Sequence, residues 1–374
     1  MKKLLKTIVV IFVIIGSLIY LNNNLGVLDF SASKPVTGEQ LLRYSDNYYF
    51  NKLEENEKKI YIRIDEAVKL KEKEVDLYNI TLDNAKELVS TTFEAYLNDN
   101  PKNFYLSNNY TIVTNSVAGF EFLDLLLEYN RIEDVKSMNS EMENAIDEII
   151  NRVIKEDMTD YEKELALHDE LASTVKYYKF ENIQDIPYIK HTAYSALVKK
   201  EAVCDGYAKA YKLLLDEVGI DSIVLTGDLE GEPHAWNMVQ IDNEYYHVDV
   251  TADNVEQGSN MYAIHAYFNN TDEEIKLTHK KDKRYTVPEC YSDAYNYYEI
   301  SGKILKSEDN IYNKLRNIVS KLKQEKILEV KVNNKFDAEE IVDTLYDLNF
   351  NNWKTNWVTN INYLIENDVY IFER

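Results

Sequence analysis

Two cysteines in 374 residues rule out a disulfide framework, and no CxxC or HExxH spacing offers a metal its ligands. Basic residues are also scarce: 42 Lys and Arg face 65 Asp and Glu, for a formal charge of −23. That balance excludes the basic patches by which a protein binds nucleic acid or an anionic surface, and it reads as a solvated surface. No cofactor motif is present. The chain has a single long apolar run, residues 7–21, with Lys2, Lys3 and Lys6 before it and Asn22, Asn23 and Asn24 after it. A basic flank ahead of an apolar run is an export signal that keeps the lysine end in the cytoplasm. The nearest small-x-small site, Ser31-Ala32-Ser33, lies about ten residues beyond the run, which favours an uncleaved anchor over a removed signal peptide. No cysteine follows directly, so the segment is not a lipoprotein signal. The expected location is the cell membrane, single-pass with the bulk outside; the alternative is secretion.

With 45% hydrophobic residues the chain is rich enough for a real core, and its length suggests two or three domains. Residues 1–33 form the signal or anchor and a linker. Residues 34–158 read as a mainly helical N-terminal region. Helical period runs over residues 39–70 and 82–97, and Asn100-Pro101 breaks the second stretch. Residues 104–113 look extended, while 116–130 and 141–155 are mixed or helical. Thr159-Asp160-Tyr161-Glu162 is a capping box that opens a helix, and His168 on its apolar side is read as structural. Residues 299–374 alternate strand and helix, with Ile311, Leu315, Ile318 and Leu322 on one stripe, and end in a hairpin over 361–372. That is a small α+β module, read as a binding or docking appendage.

The most informative stretch is residues 201–253. Cys204 is followed at helical spacing by Tyr207, Tyr211, Leu214, Leu215 and Val218, and Gly219 supplies the left-handed residue that ends helices. Cys204 therefore begins a helix, where unpaired N–H groups and the helix dipole favour a thiolate. Beyond a strand at 223–226, residues 234–241 and 244–250 form a hairpin about Asp242-Asn243. In that register Ile241 faces Glu244 and Trp236 faces Asp249, so His234 and Asp249 are diagonal neighbours on one face. Diagonal backbones are about 7–8 Å apart, within reach of an imidazole and a carboxylate. Singly, each of these residues is unremarkable; together, in one register, they form the thiol, base and orienting acid of acyl transfer. His247 on the same face is read as structural, and His265 and His279 receive no role. Cys290 has no helix start or histidine beside it and is an ordinary thiol; a Cys204–Cys290 bridge would silence the nucleophile.

Ala202-Val203-Cys204-Asp205-Gly206-Tyr207-Ala208, then His234-Ala235-Trp236-Asn237, then Tyr246-His247-Val248-Asp249-Val250-Thr251 resemble the core of the bacterial transglutaminase-like superfamily. Leu167-His168-Asp169 before these motifs, and Val287-Pro288-Glu289-Cys290 and Asn296-Tyr297-Tyr298 after them, extend the resemblance over residues 159–298. It implies an α+β, papain-like cysteine enzyme core in which Cys204, His234 and Asp249 are nucleophile, base and orienting acid, in the chain order of papain-like enzymes. Its members act as transglutaminases, peptidases or amidases, and some have lost activity. A side chain upstream of the nucleophile completes the oxyanion site in papain-like folds; Tyr194 is the candidate, with His191 and Trp236 as competitors. Trp236, Gly206 and Tyr207 are the cleft candidates. The expected partners are a protein or peptide substrate, the membrane through the N-terminal anchor, and a cell-wall or surface protein. The alternative is a catalytically silent surface module that binds proteins or wall polymers in the same cleft. Calcium dependence does not carry over, because no calcium-ligand motif matches.

Overall fold

The computed structural model describes residues 36–77, 82–117, 120–130, 132–257, 260–306, 308–321, 327–332, 336, 338–348, 364–366 and 369–373. The expected export signal or anchor at residues 1–33 lies outside them. Among the described residues no helix is long and apolar enough to cross a membrane. The chain divides into two compact units, Met1–Tyr96 with Asn109–Glu128 and Leu97–Asn108 with Tyr129–Arg374.

The first unit is built on the helix Glu55–Leu70. Ile60, Ile64, Ala67 and Val68 recur at helical spacing and are buried, and the helix stops where Lys71 turns left-handed. Asp65 on the same helix is also buried. It is satisfied by the hydroxyls of Tyr44 and Tyr96 and by the Lys69 ammonium. Beside it stands a three-stranded sheet with Phe120–Tyr129 between Glu74–Asp76 and Leu106–Val117. The mixed or helical reading of 116–130 is thus corrected to a strand over 120–129. Leucine is a good helix former, which misleads local reading. Pairing wins here because Leu123, Leu125 and Leu127 alternate onto one buried face.

In the second unit, helix α1 (Asp160–Thr174) starts at the expected capping box: Thr159 accepts from the Glu162 N–H, and the Glu162 carboxylate accepts from the Thr159 N–H. Helix α2 spans Cys204–Glu217 and ends before Gly219, at φ +77°. A five-stranded antiparallel sheet carries the rest. Its strands are β1 (Ser222–Leu229), β2 (Glu232–Ile241), β3 (Glu244–Val248), β4 (Phe268–Asn270) and β5 (His279–Lys281), in the order β4-β3-β2-β1-β5. Asp242 and Asn243 both take positive φ, the two-residue turn whose twist matches the strands. The observed pairs Ile241↔Glu244 and Met238↔His247 give the register that the sequence predicts. At the far edge β5 approaches β1 closely because residue 227 is glycine. A Cβ there would lie 2.1 Å from the Lys280 carbonyl oxygen.

The C-terminal sheet joins Ile304–Leu305, Ile327–Val332, Val369–Glu373 and Leu364–Glu366, in that order. Helices Ile311–Lys321 and Ala338–Asp347 close over it, through a core of Leu315, Ile318, Leu328, Val330, Ile341 and Leu345. A second core joins Val369 and Ile371 of this sheet to Ile264, Tyr267, Ile275 and Tyr298. The module is therefore packed into the second unit, and its strand residue Glu329 is buried with it.

Glu164, on the inner side of α1, is fully buried. Its Oε2 accepts from the Asn269 amide at 2.9 Å, whereas its Oε1 and the Asn269 Oδ1 have no partner among the described residues. Burial pushes this carboxyl up to about 8, so it is neutral in the fold, where a proton on Oε1 is the donor the pair otherwise lacks. With an unfolded value of about 4.3, the raised folded value means that its contribution is fully present below about pH 4.3 and is lost as pH rises towards 8. Glu164→Gln keeps a donor without the titration. Its stability relative to wild type, read by urea denaturation, is expected to improve by a few kcal/mol between pH 5 and pH 8. An equal difference at both pH values would show that Glu164 is charged in the fold.

Candidate functional site

Residues Glu201–Ala202 pair in parallel with Lys176–Tyr177, and Val203 is extended before the chain turns into α2 at Cys204. Gly206 permits that turn: a Cβ there would lie 2.7 Å from the Ala202 Cβ and 2.8 Å from the Lys190 carbonyl oxygen. Cys204 is thus fixed at the first turn of the helix with its side chain partly exposed.

His234 on β2 meets Asp249 just past β3. Its Nε2 lies 2.6 Å from Asp249 Oδ2, and its other ring nitrogen, Nδ1, is left for the Cys204 thiol, whose charge also acts on the ring. Asp249 is held from several sides. Its Oδ1 accepts the N–H groups of Thr251 and Ala252 at 2.9 and 3.1 Å, and its Oδ2 also takes His279 Nε2 at 3.0 Å. Its own N–H donates to the Tyr267 carbonyl. Burial would raise the Asp249 carboxyl, but His234 and His279 outweigh burial and hold it well below the usual carboxylate range. Burial likewise disfavours the charged His234 ring. Asp249 and then Cys204 prevail, and the imidazole is pushed up to about 10. The indole of Trp236 stacks beside the His234 ring, centroids 6.2 Å apart and planes 17° from parallel. The arrangement supplies a thiol, a base that can take its proton, and a buried anion that fixes the base's tautomer, the parts that acyl transfer through a thioester requires.

The structure brings His234 to Asp249 as the register predicts, and the Cys204 side chain packs against Ala208, Val224 and Ala235, the last of these next to His234. The other candidates lie differently. Tyr194 is buried, stacks on Phe104, and donates its one hydroxyl proton to Glu141 Oε2 at 2.6 Å, so it is not available to an oxyanion. His191 Nδ1 is engaged by Asp205 Oδ2 at 3.0 Å. The Trp236 N–H donates to His247 Nδ1 at 3.0 Å, and His247 Nε2 reaches Asp272, so this indole supports the base rather than lining a cleft as a donor. Tyr207 is fully buried with its hydroxyl on the Val175 carbonyl, and Gly206 serves a close backbone approach; neither is a cleft wall.

Two residues escaped sequence reasoning. His279 was given no role, yet it is buried against Asp249, with Thr278 Oγ1 2.8 Å from its Nδ1. Only the pairing of β5 onto β1 brings it there, and no local pattern marks it. Tyr177, half-buried beside the strand that leads into Cys204, has a phenol raised by burial and then by Cys204, Asp249 and Asp205. The strand pairing of 176–177 with 201–202 was its only signal.

Two of the groupings that have metal-ligand spacing touch this region. His234, Asp249 and His279 are one, where a cation would occupy the base itself. His247, Asp272 and Cys290 are the other, where the Lys281 ammonium, 2.5 Å from Asp272 Oδ1, already balances the carboxylate.

Residues 147–250 match the family model of the transglutaminase-like superfamily, a stretch that ends one residue past Asp249. Comparison with curated proteins finds no match. Among solved structures the chain is similar to a TGase at 16% identity and a TM-score of 0.28, over 50% of this chain and 53% of that one. It is also similar to a candidate cysteine protease from Cytophaga hutchinsonii, at 13% identity and a TM-score of 0.25, over 39% of this chain and 65% of that one. A third is menin, for which a binding site for the Mixed Lineage Leukemia (MLL) protein is described, at 15% identity and a TM-score of 0.23, over 59% and 42%. The chain thus spans about half the length of the first of these structures. The α+β chain carries, over residues 147–250, a domain of the transglutaminase-like superfamily.

Proposed function

We propose that the protein is a thiol enzyme of protein or peptide amides, carried on the outer face of the cell membrane by the basic and apolar segment at its N-terminus. The observation that supports it most is the anchoring of His234 Nε2 on the buried Asp249 at 2.6 Å, which leaves Nδ1 for the thiol. In the proposed reaction His234, as an imidazolium, already holds the proton given up by Cys204, and the sulfur attacks the amide carbonyl carbon. As the tetrahedral intermediate collapses, His234 gives that proton to the departing nitrogen, and the C–N bond breaks to leave a thioester on Cys204. An amine or water, deprotonated in turn by His234, then attacks the thioester and releases the acyl group, with the proton returning to the thiolate. Asp249 stabilises the imidazolium in both halves. A glutamine side chain and a main-chain peptide are both suitable donors.

Incubating the full chain with a casein-like protein and a fluorescent primary amine tests this. Covalent labelling indicates transfer, and fragments indicate hydrolysis. Neither product across a range of substrates would favour a catalytically silent surface module that binds proteins or wall polymers.

A further inference from the structure

A second cluster of histidines and carboxylates lies outside the Cys204, His234 and Asp249 line. His168 and Asp169 stand on α1 and His265 precedes β4. Asp169 Oδ1 is 3.0 Å from His168 Nδ1 and 2.9 Å from His265 Nε2. The remaining nitrogen of each ring faces a buried carboxylate: His168 Nε2 lies 3.0 Å from Asp253 Oδ2, and His265 Nδ1 lies 3.0 Å from Glu329 Oε1. Those carboxylates are themselves fixed. Asp253 accepts the Tyr267 N–H at 3.0 Å, and Glu329 accepts the His265 N–H at 2.8 Å and the Tyr298 hydroxyl at 2.7 Å. Tyr297 stacks flat on the His265 ring, 3.6 Å between centroids and 10° between planes.

We infer that His168, Asp169 and His265 are the ligands of one first-row divalent cation, of which Zn2+ is the probe of choice. The donor set is two imidazole nitrogens and one carboxylate, which suits such metals and not calcium or magnesium, both of which prefer all-oxygen shells. The three ligand atoms lie within 4.8 Å of one another. Metal–ligand bonds of about 2.0–2.2 Å place neighbouring ligands roughly 3–3.5 Å apart, and Asp169 Oδ1 stands 3.0 Å from His168 Nδ1 and 2.9 Å from His265 Nε2. A histidine that binds metal through one nitrogen characteristically donates the other N–H to a carboxylate, and both rings meet that condition. Protonation at His168 Nε2 and His265 Nδ1, as Asp253 and Glu329 demand, leaves the lone pairs of the two facing nitrogens at Asp169. Without a cation the three carboxylates must be balanced by two imidazolium ions held in a buried site. Access is open, because Asp169 keeps 45% of its side chain in solvent while His168 is fully enclosed. His265 stands 96 residues from Asp169 in the chain, so no local spacing reveals the set. Glu329, from the C-terminal sheet, gives that module a part in the site.

The test is titration of the chelator-treated full chain with Co2+, followed by its visible absorption, with Zn2+ as competitor. One equivalent is expected to bind. Asp169→Asn removes a ligand and is expected to abolish the spectrum. Among the three ligands Glu329→Gln reaches only His265, and it is expected to weaken binding about 10–100-fold, the usual effect of losing such a partner. His279→Gln, which damages the separate His234, Asp249 and His279 grouping, is expected to leave the affinity unchanged. Thermal melts without metal establish that each variant is folded, and if Asp169→Asn is not, Glu329→Gln alone decides. No spectrum in the wild-type chain, unchanged affinity in folded Asp169→Asn or Glu329→Gln, or a loss confined to His279→Gln overturns the inference.

Discussion

Cys204→Ala and His234→Ala are each expected to cut acyl transfer about a million-fold, and the double variant no further. Residues that act as one unit are grossly non-additive, so removing either the nucleophile or its base removes the covalent route as a whole. A residual rate is expected to persist, because substrate binding and the backbone N–H groups at the start of α2 remain. The double-mutant cycle reads this directly from kcat/KM. Additive losses would mean that Cys204 and His234 do not work together, whatever their proximity.

Asp249→Asn is expected to fold normally and to lower kcat by up to about ten-thousand-fold, the effect of replacing a triad acid. The geometry states why an amide is a poor substitute here, although papain-like sites can use Asn. Oδ1 of Asp249 is already committed to the Thr251 and Ala252 N–H groups, so an Asn oxygen stays there and its NH2 turns towards His234 and His279. An NH2 facing His234 Nε2 needs an acceptor, which moves the ring proton to Nδ1, the nitrogen that must take the thiol proton. The base then carries a proton on the wrong side. Undiminished turnover in a folded Asp249→Asn variant would remove Asp249 from the mechanism.

What could be read from the sequence follows from which contacts are local. The start of α2 at Cys204 and the β2–β3 register were legible because helical spacing, Gly219 and the Asp242-Asn243 turn all lie within a few residues of the groups they place. Thr159 and Glu162 announced α1 in the same way. The strand at 120–129 was not legible, since its leucines serve a helix equally well and only sheet pairing decides between the two. Tyr194 was misplaced for a related reason: it precedes the nucleophile in sequence, but its hydroxyl is set by Glu141, 53 residues away. His279 and Glu329 were invisible because each gains its meaning from a partner on a distant strand or loop.

The central claim is that His234 activates Cys204. Cys290 is the internal control: it is buried, and burial and then Asp272 push its thiol up to about 12. Cys204 is partly exposed and packs against Ala235, the residue next to His234, whose ring it acts on electrostatically. With sub-stoichiometric iodoacetamide at about pH 6, where an ordinary thiol is almost wholly protonated, peptide mapping is expected to find alkylation on Cys204 far ahead of Cys290. In His234→Ala the Cys204 rate is expected to fall sharply, and in denaturant the two cysteines are expected to react alike. Equal reactivity of the two in the native chain, or a Cys204 rate unchanged by His234→Ala, would contradict the account.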